Sequence, residues 1–366
     1  MADKILKELN GLPIFRMSLG SKELFHSNFL EYLWSVDSDR LKNMINKLLG
    51  KNVLNNDSYI LSREKENFDL CIYHKDSKGK TIYDVIIENK VKSIPSKQQL
   101  DDYVDKVMHG TPCYLLLSLI ENFCDRQEVE DEEVWKIVNY DTLHKVIREH
   151  YQGIGGKDQT YIDDYCSFIS SMHDLQKQIV SGNFEGEELW SDYGLYKKYR
   201  LHDLYIKLRG LKFIELLKNR LAAEGLSATV VSVGGFRFRE LWGHTVPENR
   251  VDVYLNWNVF NAVGQIAAYV YNGENEIYEI VIQGYQYRHG INYYDEQRPN
   301  ITLDEIWEEV KEKNFISCIK HDGNKNKNHC QYNPDYVYVY NKITSQMTVE
   351  HLLQRMVDDI GELCNH

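Results

Sequence analysis

Apolar residues recur at three- and four-residue spacing over 22–35 (KELFHSNFLEYLWS), which puts Leu24, Phe25, Phe29, Leu30 and Leu33 on one stripe and predicts an amphipathic helix after a Ser21 cap. A second helical pattern over 41–49 ends at Gly50, a residue suited to the left-handed C-terminal stop. Three strand-like runs follow, at 59–62, 68–73 and 81–91, with the polar turn KDSKGK at 75–80 between the last two. The run 81–91 is apolar at both parities from Tyr83 to Ile87, which predicts a central strand covered on both faces. A helix over 98–108, strands over 113–119 and 135–139, and helices over 142–151 and 161–180 complete a mixed α/β order.

The acidic stretch 121–133 (ENFCDRQEVEDEE) reads as a solvated loop, and 181–188 (SGNFEGEE) as a linker. The expected domains are therefore 1–180 and 189–366, the second an α+β block. In it a helix over 204–223 precedes strands near 228–233, 250–257, 264–271 and 276–283. A helix at 302–313, tyrosine-rich strands flanking 322–328 and a closing helix at 348–364 follow. Cys318, His321, His329 and Cys330 have zinc-binding side chains, but their spacing fits no usual zinc site, and a polar hairpin tip is the better reading.

The chain of 366 residues is long enough for two cores. It contains no apolar run of about 18 residues, and its first twenty residues lack a secretory pattern, so a soluble cytoplasmic protein is expected. Seven scattered cysteines without a CxxC pair suit a reducing compartment. Net charge is −12, unevenly placed: residues 1–110 hold 17 Lys/Arg against 16 Asp/Glu, and 111–366 hold 26 against 39. That balance argues against tight, sequence-independent gripping of long duplex DNA, which depends on a basic surface. A local basic rim or a bound cation can still offset carboxylates at a site.

The chemistry concentrates at Glu88-Asn89-Lys90. On a strand, residues two apart share a face, so Glu88 and Lys90 project together. If the strand 68–73 pairs alongside, Asp69 brings a second carboxylate to the same place. Two hard oxygen donors plus a main-chain carbonyl describe a Mg²⁺ site with positions left for water and phosphate. Lys90 is placed to orient water and stabilise developing negative charge on a phosphodiester. Asp84 shares the Glu88 face by parity and reads either as a ligand or as a partner for a nearby cation. Glu31 is an acid on the first helix that competes with Glu23, and His26 reads as a packing histidine rather than a catalytic one.

Asp69, the Glu88-Asn89-Lys90 strand and the following Ser96-Lys97-Gln98-Gln99-Leu100-Asp101-Asp102-Tyr103 together resemble the PD-(D/E)xK nuclease superfamily, in a bacterial branch with an IENK strand and a Gln-Leu-x-x-Tyr helix. Glu23 to Glu31 is similar to the first helix of that branch, and the resemblance spans about residues 12–180. It implies a restriction-endonuclease-like mixed sheet flanked by helices. It also implies metal binding by Asp69 and Glu88, with Glu23 as an accessory acid at the metal, and a catalytic set of Asp69, Glu88, Lys90 and, near the phosphate, Gln99. The implied cofactor is Mg²⁺, with Mn²⁺ as substitute, and the implied substrate is a nucleic acid, DNA before RNA, in a setting such as defence. Phe68 stands where the superfamily's name has proline. The alternative function is a catalytically inactive nuclease-fold protein that holds a protein partner, or a second copy of itself, through its acidic C-terminal half.

Residues 277–285 (IYEIVIQGY) echo 82–90 (IYDVIIENK), with Gln283 at the Glu88 position and Tyr285 at the Lys90 position, while Val251-Asp252-Val253-Tyr254 echoes Phe68-Asp69-Leu70-Cys71. Either the second domain is a degenerate copy without metal or lysine, or two buried strands resemble each other by chance.

Overall fold

The computed structural model describes residues 2–18, 23–56, 58–123, 125–230, 251–256, 264–272, 276–293, 302, 304–305, 307–308, 330–333 and 336–364. Its contacts divide into two units, one of residues 1–181 and 195–204, the other of residues 182–194 and 205–366. The described chain runs α1 (Ala2–Gly11), α2 (Pro13–Ser18), α3 (Glu23–Val36), α4 (Ser38–Leu49), β1 (Ile60–Arg63), β2 (Leu70–Lys75), β3 (Thr81–Lys90), α5 (Lys97–Asp105), β4 (Cys113–Ser118), α6 (Arg126–Asp131), β5 (Trp135–Asn139), α7 (Tyr140–Tyr151) and α8 (Gly156–Val180). It continues through α9 (Tyr193–Lys198), α10 (His202–Ala223), β6 (Ala228–Val230), β7 (Val251–Asn256), β8 (Gln265–Asn272), β9 (Glu276–Gln283), β10 (Gln286–Tyr293), β11 (Cys330–Asn333), β12 (Tyr336–Lys342) and α11 (Val349–Cys364).

The first sheet has the order β1-β2-β3-β4-β5. β1, β2 and β3 form an antiparallel meander, and β4 and β5 add in parallel to β3. A parallel neighbour needs a crossover, which α5 and α6 supply. β3 lies at the centre, and Val85, Ile86 and Ile87 are each at most 1% exposed, which is why its sequence is apolar at both parities. One face carries Phe68, Cys71, Ile86, Leu100, Leu116 and Trp135 in a single cluster with α5 and α6. The other face meets α3 and α7. There Phe29 of α3 stacks on Tyr165 of α8 at 3.7 Å between centroids, and Tyr151 of α7 donates its hydroxyl to the Leu33 carbonyl at 3.0 Å.

Local sequence sets several of these boundaries. Asp37 caps α4 by accepting from the Arg40 amide at 3.0 Å, and Gly50 ends the helix with φ of 67°. The stretch 121–133, expected as a solvated loop, contains α6. Val129 is buried there, and the pairs Arg126–Glu130 and Gln127–Asp131 at i,i+4 spacing support the helix. Residues 2–18, for which the pattern gave no element, form α1 and α2, with Leu6 and Leu9 of α1 buried.

In the second unit the sheet order is β11-β12-β10-β9-β8-β7-β6, antiparallel throughout except for the β6–β7 pair. α11 packs against β8 and β9, and its Asp359 accepts from Tyr287 Oη of β10 at 2.6 Å. Gly210 lets α10 lie against β7, since a Cβ there would meet Leu255 at 2.4 Å. Of the stretch 181–188 that composition marks as linker, residues 182–188 belong to this unit: Phe184 is buried and Glu187 pairs with Arg209 at 3.1 Å. Two expectations fail or fall outside. β8 lies between the strands bearing Asp252 and Gln283, whereas β2 and β3 are direct neighbours, so the proposed copy of the first unit is refuted by strand order. Hydrophobic strand patterns repeat at little sequence cost, and the echo is of that kind. Cys318, His321, His329 and most of the helix expected at 302–313 lie outside the described residues. Among the described residues no helix is long and apolar enough to cross a membrane.

Candidate active site

Glu88 and Lys90 close β3 on one face, as period two requires. Lys90 Nζ lies 2.6 Å from Glu88 Oε1, with the two side chains only 11% and 1% exposed. Gln99, in the first turn of α5, donates Nε2 to the same Glu88 oxygen at 3.0 Å, and Tyr103 Oη lies 3.3 Å from that amide nitrogen. These two side chains are one helical turn apart, so α5 presents them together.

Asp69 enters from the approach to β2. Its Oδ2 accepts the backbone N–H of Asn89 at 2.8 Å, which fixes its carboxylate at the end of β3. The Asn89 side chain points to the opposite face and donates to Ser27 Oγ of α3 at 2.9 Å. Asn89 therefore ties the site to the first helix from behind. That tie was not read from the sequence, although the Ser27 of the His-Ser pair and the Asn of the IENK strand were both in view.

Asp69 and Glu88 are close enough for their carboxyl groups to act on each other directly. Burial pushes the Glu88 carboxyl up to about 7, the Lys90 ammonium opposes that rise and the Asp69 charge adds to it. Burial likewise raises Asp69, against the pull of the Asn89 amide and of Lys90. Two carboxylates in contact favour a proton or a cation between them. Glu88 Oε2 is buried without a hydrogen-bond partner, and an orphaned carboxylate oxygen beside a second carboxylate fits a hard divalent ion. No cluster of three or more His, Cys, Asp or Glu able to hold an ion occurs among the described residues. Two carboxylates together fit a hard divalent ion that keeps several of its waters.

Glu23, the first residue of α3, turns its Oε1 onto the backbone amides of Lys92 and Ser93 at 3.2 and 2.9 Å. Burial alone would raise its carboxyl, but these donors and the Ser93 hydroxyl bring it below the usual range. In this conformation Glu23 anchors the segment after β3. The competing acids are elsewhere: Glu31 pairs with Arg63 at 2.6 Å, and Asp84 pairs with His74 at 2.7 Å. The parity that placed Asp84 beside Glu88 is broken by a register shift, where Ile72 pairs with Val85 but Tyr73 pairs with Tyr83. His26 is buried, shares a 2.9 Å hydrogen bond with Tyr165 Oη, and is held at about 3 by burial, so it stays neutral as a packing residue.

Two carboxylates, a lysine and a glutamine thus meet at the end of the antiparallel β2–β3 pair within a mixed sheet. Residues 12–167, less than half of the chain, match the family model of the PD-(D/E)XK nuclease superfamily, and the mixed sheet flanked by helices is consistent with a restriction-endonuclease-like core. No curated protein and no solved structure gives a match.

Proposed function

We propose that this protein is a metal-dependent nuclease that hydrolyses phosphodiester bonds, with DNA favoured over RNA on the strength of the family resemblance. The observation that carries the reading is the convergence of Asp69, Glu88 and Lys90 at the end of β3, with Gln99 bonded to the same Glu88 oxygen. Asp69 and Glu88 would hold Mg²⁺, or Mn²⁺ in its place, and Glu23 is an accessory acid behind the Lys92–Ser93 backbone. A cation bound there supplies Lewis acidity and a water of lowered pKa.

The chain's own groups supply the rest. Lys90, with Nζ beside Glu88, stabilises negative charge as it develops on the phosphoryl oxygens. Gln99 holds Glu88 in one rotamer through Oε1, which leaves Oε2 for the cation. Asn89 holds Asp69 by its backbone and the strand by its side chain.

The test is cleavage of plasmid, linear duplex, branched and single-stranded DNA and of RNA, with Mg²⁺, Mn²⁺ or EDTA. Metal-dependent cleavage of at least one substrate, abolished by Glu88→Ala, is expected. Inactivity on every substrate together with absence of Mn²⁺ binding would sink the reading.

A further inference from the structure

The turn that joins β1 to β2, just ahead of Asp69, has an uncommon backbone. Glu64, Glu66 and Asn67 have φ of 51°, 55° and 67°, so three of the five non-glycine residues with positive φ among the described residues fall within four positions. The left-handed region crowds a Cβ against the following carbonyl oxygen, a cost that glycine avoids. The next turn of the same sheet, between β2 and β3, takes positive φ with a glycine, Gly79 at 78°. Glu64, Glu66 and Asn67 are exposed, so burial of their own side chains does not explain the conformation. Strained backbone of this kind gathers where function needs one fixed geometry.

What the turn delivers is Asp69. The β1–β2 ladder ends at the pair Arg63–Leu70 and the β2–β3 ladder at Leu70–Ile87, so Asp69 lies outside both and strand pairing does not set its backbone. The turn closes on it instead: the Glu64 amide approaches the Asp69 carbonyl at 3.4 Å, and the Phe68 amide donates to the Lys65 carbonyl at 3.1 Å. It also breaks the alternation of β2. Cys71 pairs with Ile86 and both lie in the cluster beneath α5, so Phe68, three residues earlier, would face away on a regular strand. Phe68 instead belongs to that cluster, fully buried, and meets Tyr83 and Tyr103 edge-on at 5.5 and 5.4 Å. Lys65 pins the turn from outside, with Nζ 3.8 Å from the Tyr73 ring centroid. Beside the Phe68 wedge, the Asp69 carboxylate accepts the Asn89 amide at 2.8 Å.

We infer that the turn from Glu64 to Asn67 is a positioning element for Asp69: its left-handed, glycine-free backbone has few alternatives and holds the carboxylate beside Glu88 before any cation arrives. Glycine visits both signs of φ freely, so a turn that contained it would leave Asp69 to be ordered by the ligand. The use made of this positioning rests on the reading of Asp69 as a metal ligand, whereas the positioning itself does not.

The experiment is amide hydrogen exchange of the full chain in EDTA, followed by Mn²⁺ titration of the same samples. The Asn89 amide reports the hold on Asp69, and Asp69→Ala should strip its protection. Glu64→Gly and Asn67→Gly should each lower that protection, and the Mn²⁺ affinity, about threefold, and the double variant about tenfold, from the backbone freedom that glycine restores. Glu66 is left in place because its carboxylate acts on the Tyr83 hydroxyl. The Tm of the glycine variants should not fall, because relief of the left-handed conformation offsets the added freedom. Ser77→Gly, which loosens the β2–β3 turn, should leave both readouts unchanged. Glycine variants whose Asn89 amide exchanges as in the parent, a loss that only follows a lower Tm, an equal loss in Ser77→Gly, or protection that survives Asp69→Ala would overturn the inference. The metal reading fails separately: exchange that changes as expected in a chain that binds no Mn²⁺ refutes the ligand role of Asp69 and leaves its positioning intact.

Discussion

Lys90 Nζ and Gln99 Nε2 converge on one oxygen of Glu88, at 2.6 and 3.0 Å, while the other oxygen of that carboxylate is buried without a partner. Glu88 and Lys90 differ in what they give the site, and their removal should separate metal binding from chemistry. Glu88→Ala deletes an oxygen donor, so Mn²⁺ affinity and cleavage are lost together. Lys90→Ala removes a cation beside two carboxylates, so Mn²⁺ affinity persists or rises while the chemical step slows on the order of 10²-fold or more. Calorimetric titration and single-turnover cleavage on the same samples check this, and equal loss of metal binding in both variants would show the roles to be misassigned.

The Glu88 carboxyl gives the metal-free protein a pH-dependent stability. Its pKa rises from an ordinary 4.5 to about 7 on folding, so the folded state binds the proton more tightly than the unfolded state. The stability contributed by that proton is fully present below about pH 4.5 and is lost as pH rises through about 7. Metal binding must displace the proton, so Mn²⁺ affinity should climb with pH up to about 7 and then level off. Glu88→Gln should flatten the dependence of Tm on pH in EDTA; an unchanged slope in that variant would assign the effect to another group.

Ser27 should matter for stability more than for metal affinity. Ser27→Ala removes the acceptor of the buried Asn89 amide, whose side-chain oxygen is already unpartnered. An unsatisfied buried donor costs about 1–3 kcal/mol. Urea unfolding should report that loss with Mn²⁺ affinity nearly unchanged, because Asp69 is held by the Asn89 backbone rather than by its amide. A variant that unfolds like the parent would show that the tie carries no weight.

Proteolysis should find the junction of the two units. Ser181, Gly182 and Asn183 are exposed, whereas Phe184, Leu189 and Trp190 are buried in the second unit, so cleavage is expected at 181–183 rather than through the whole acidic stretch. The N-terminal product keeps the site but loses residues 195–204, which supply the Asp203 carboxylate 3.6 Å from Lys92 Nζ and the Arg200 carbonyl that accepts from it. It should melt below the intact chain. First cuts within β3 would contradict this division.

The sequence by itself determined the strands of the first sheet and the core of the site. Glu88 and Lys90 share a face because period two is a local property of extended backbone, and the doubly apolar run around them marks a strand covered on both sides. Only tertiary structure decided which acids join them. A register shift beside Asp84 reverses the parity argument there, and Glu23 meets the Lys92 and Ser93 amides through a contact between segments nearly seventy residues apart. Strand order in the second sheet is likewise non-local: the resemblance of 277–285 to 82–90 records only that both are buried strands, while β8 separates the strands that a repeat would place side by side. The β10–β12 pairing follows the same rule, since the two strands are brought together only across some fifty residues of chain. Periodicity fixes which way a side chain faces along its own strand, and pairing between distant strands fixes what it faces.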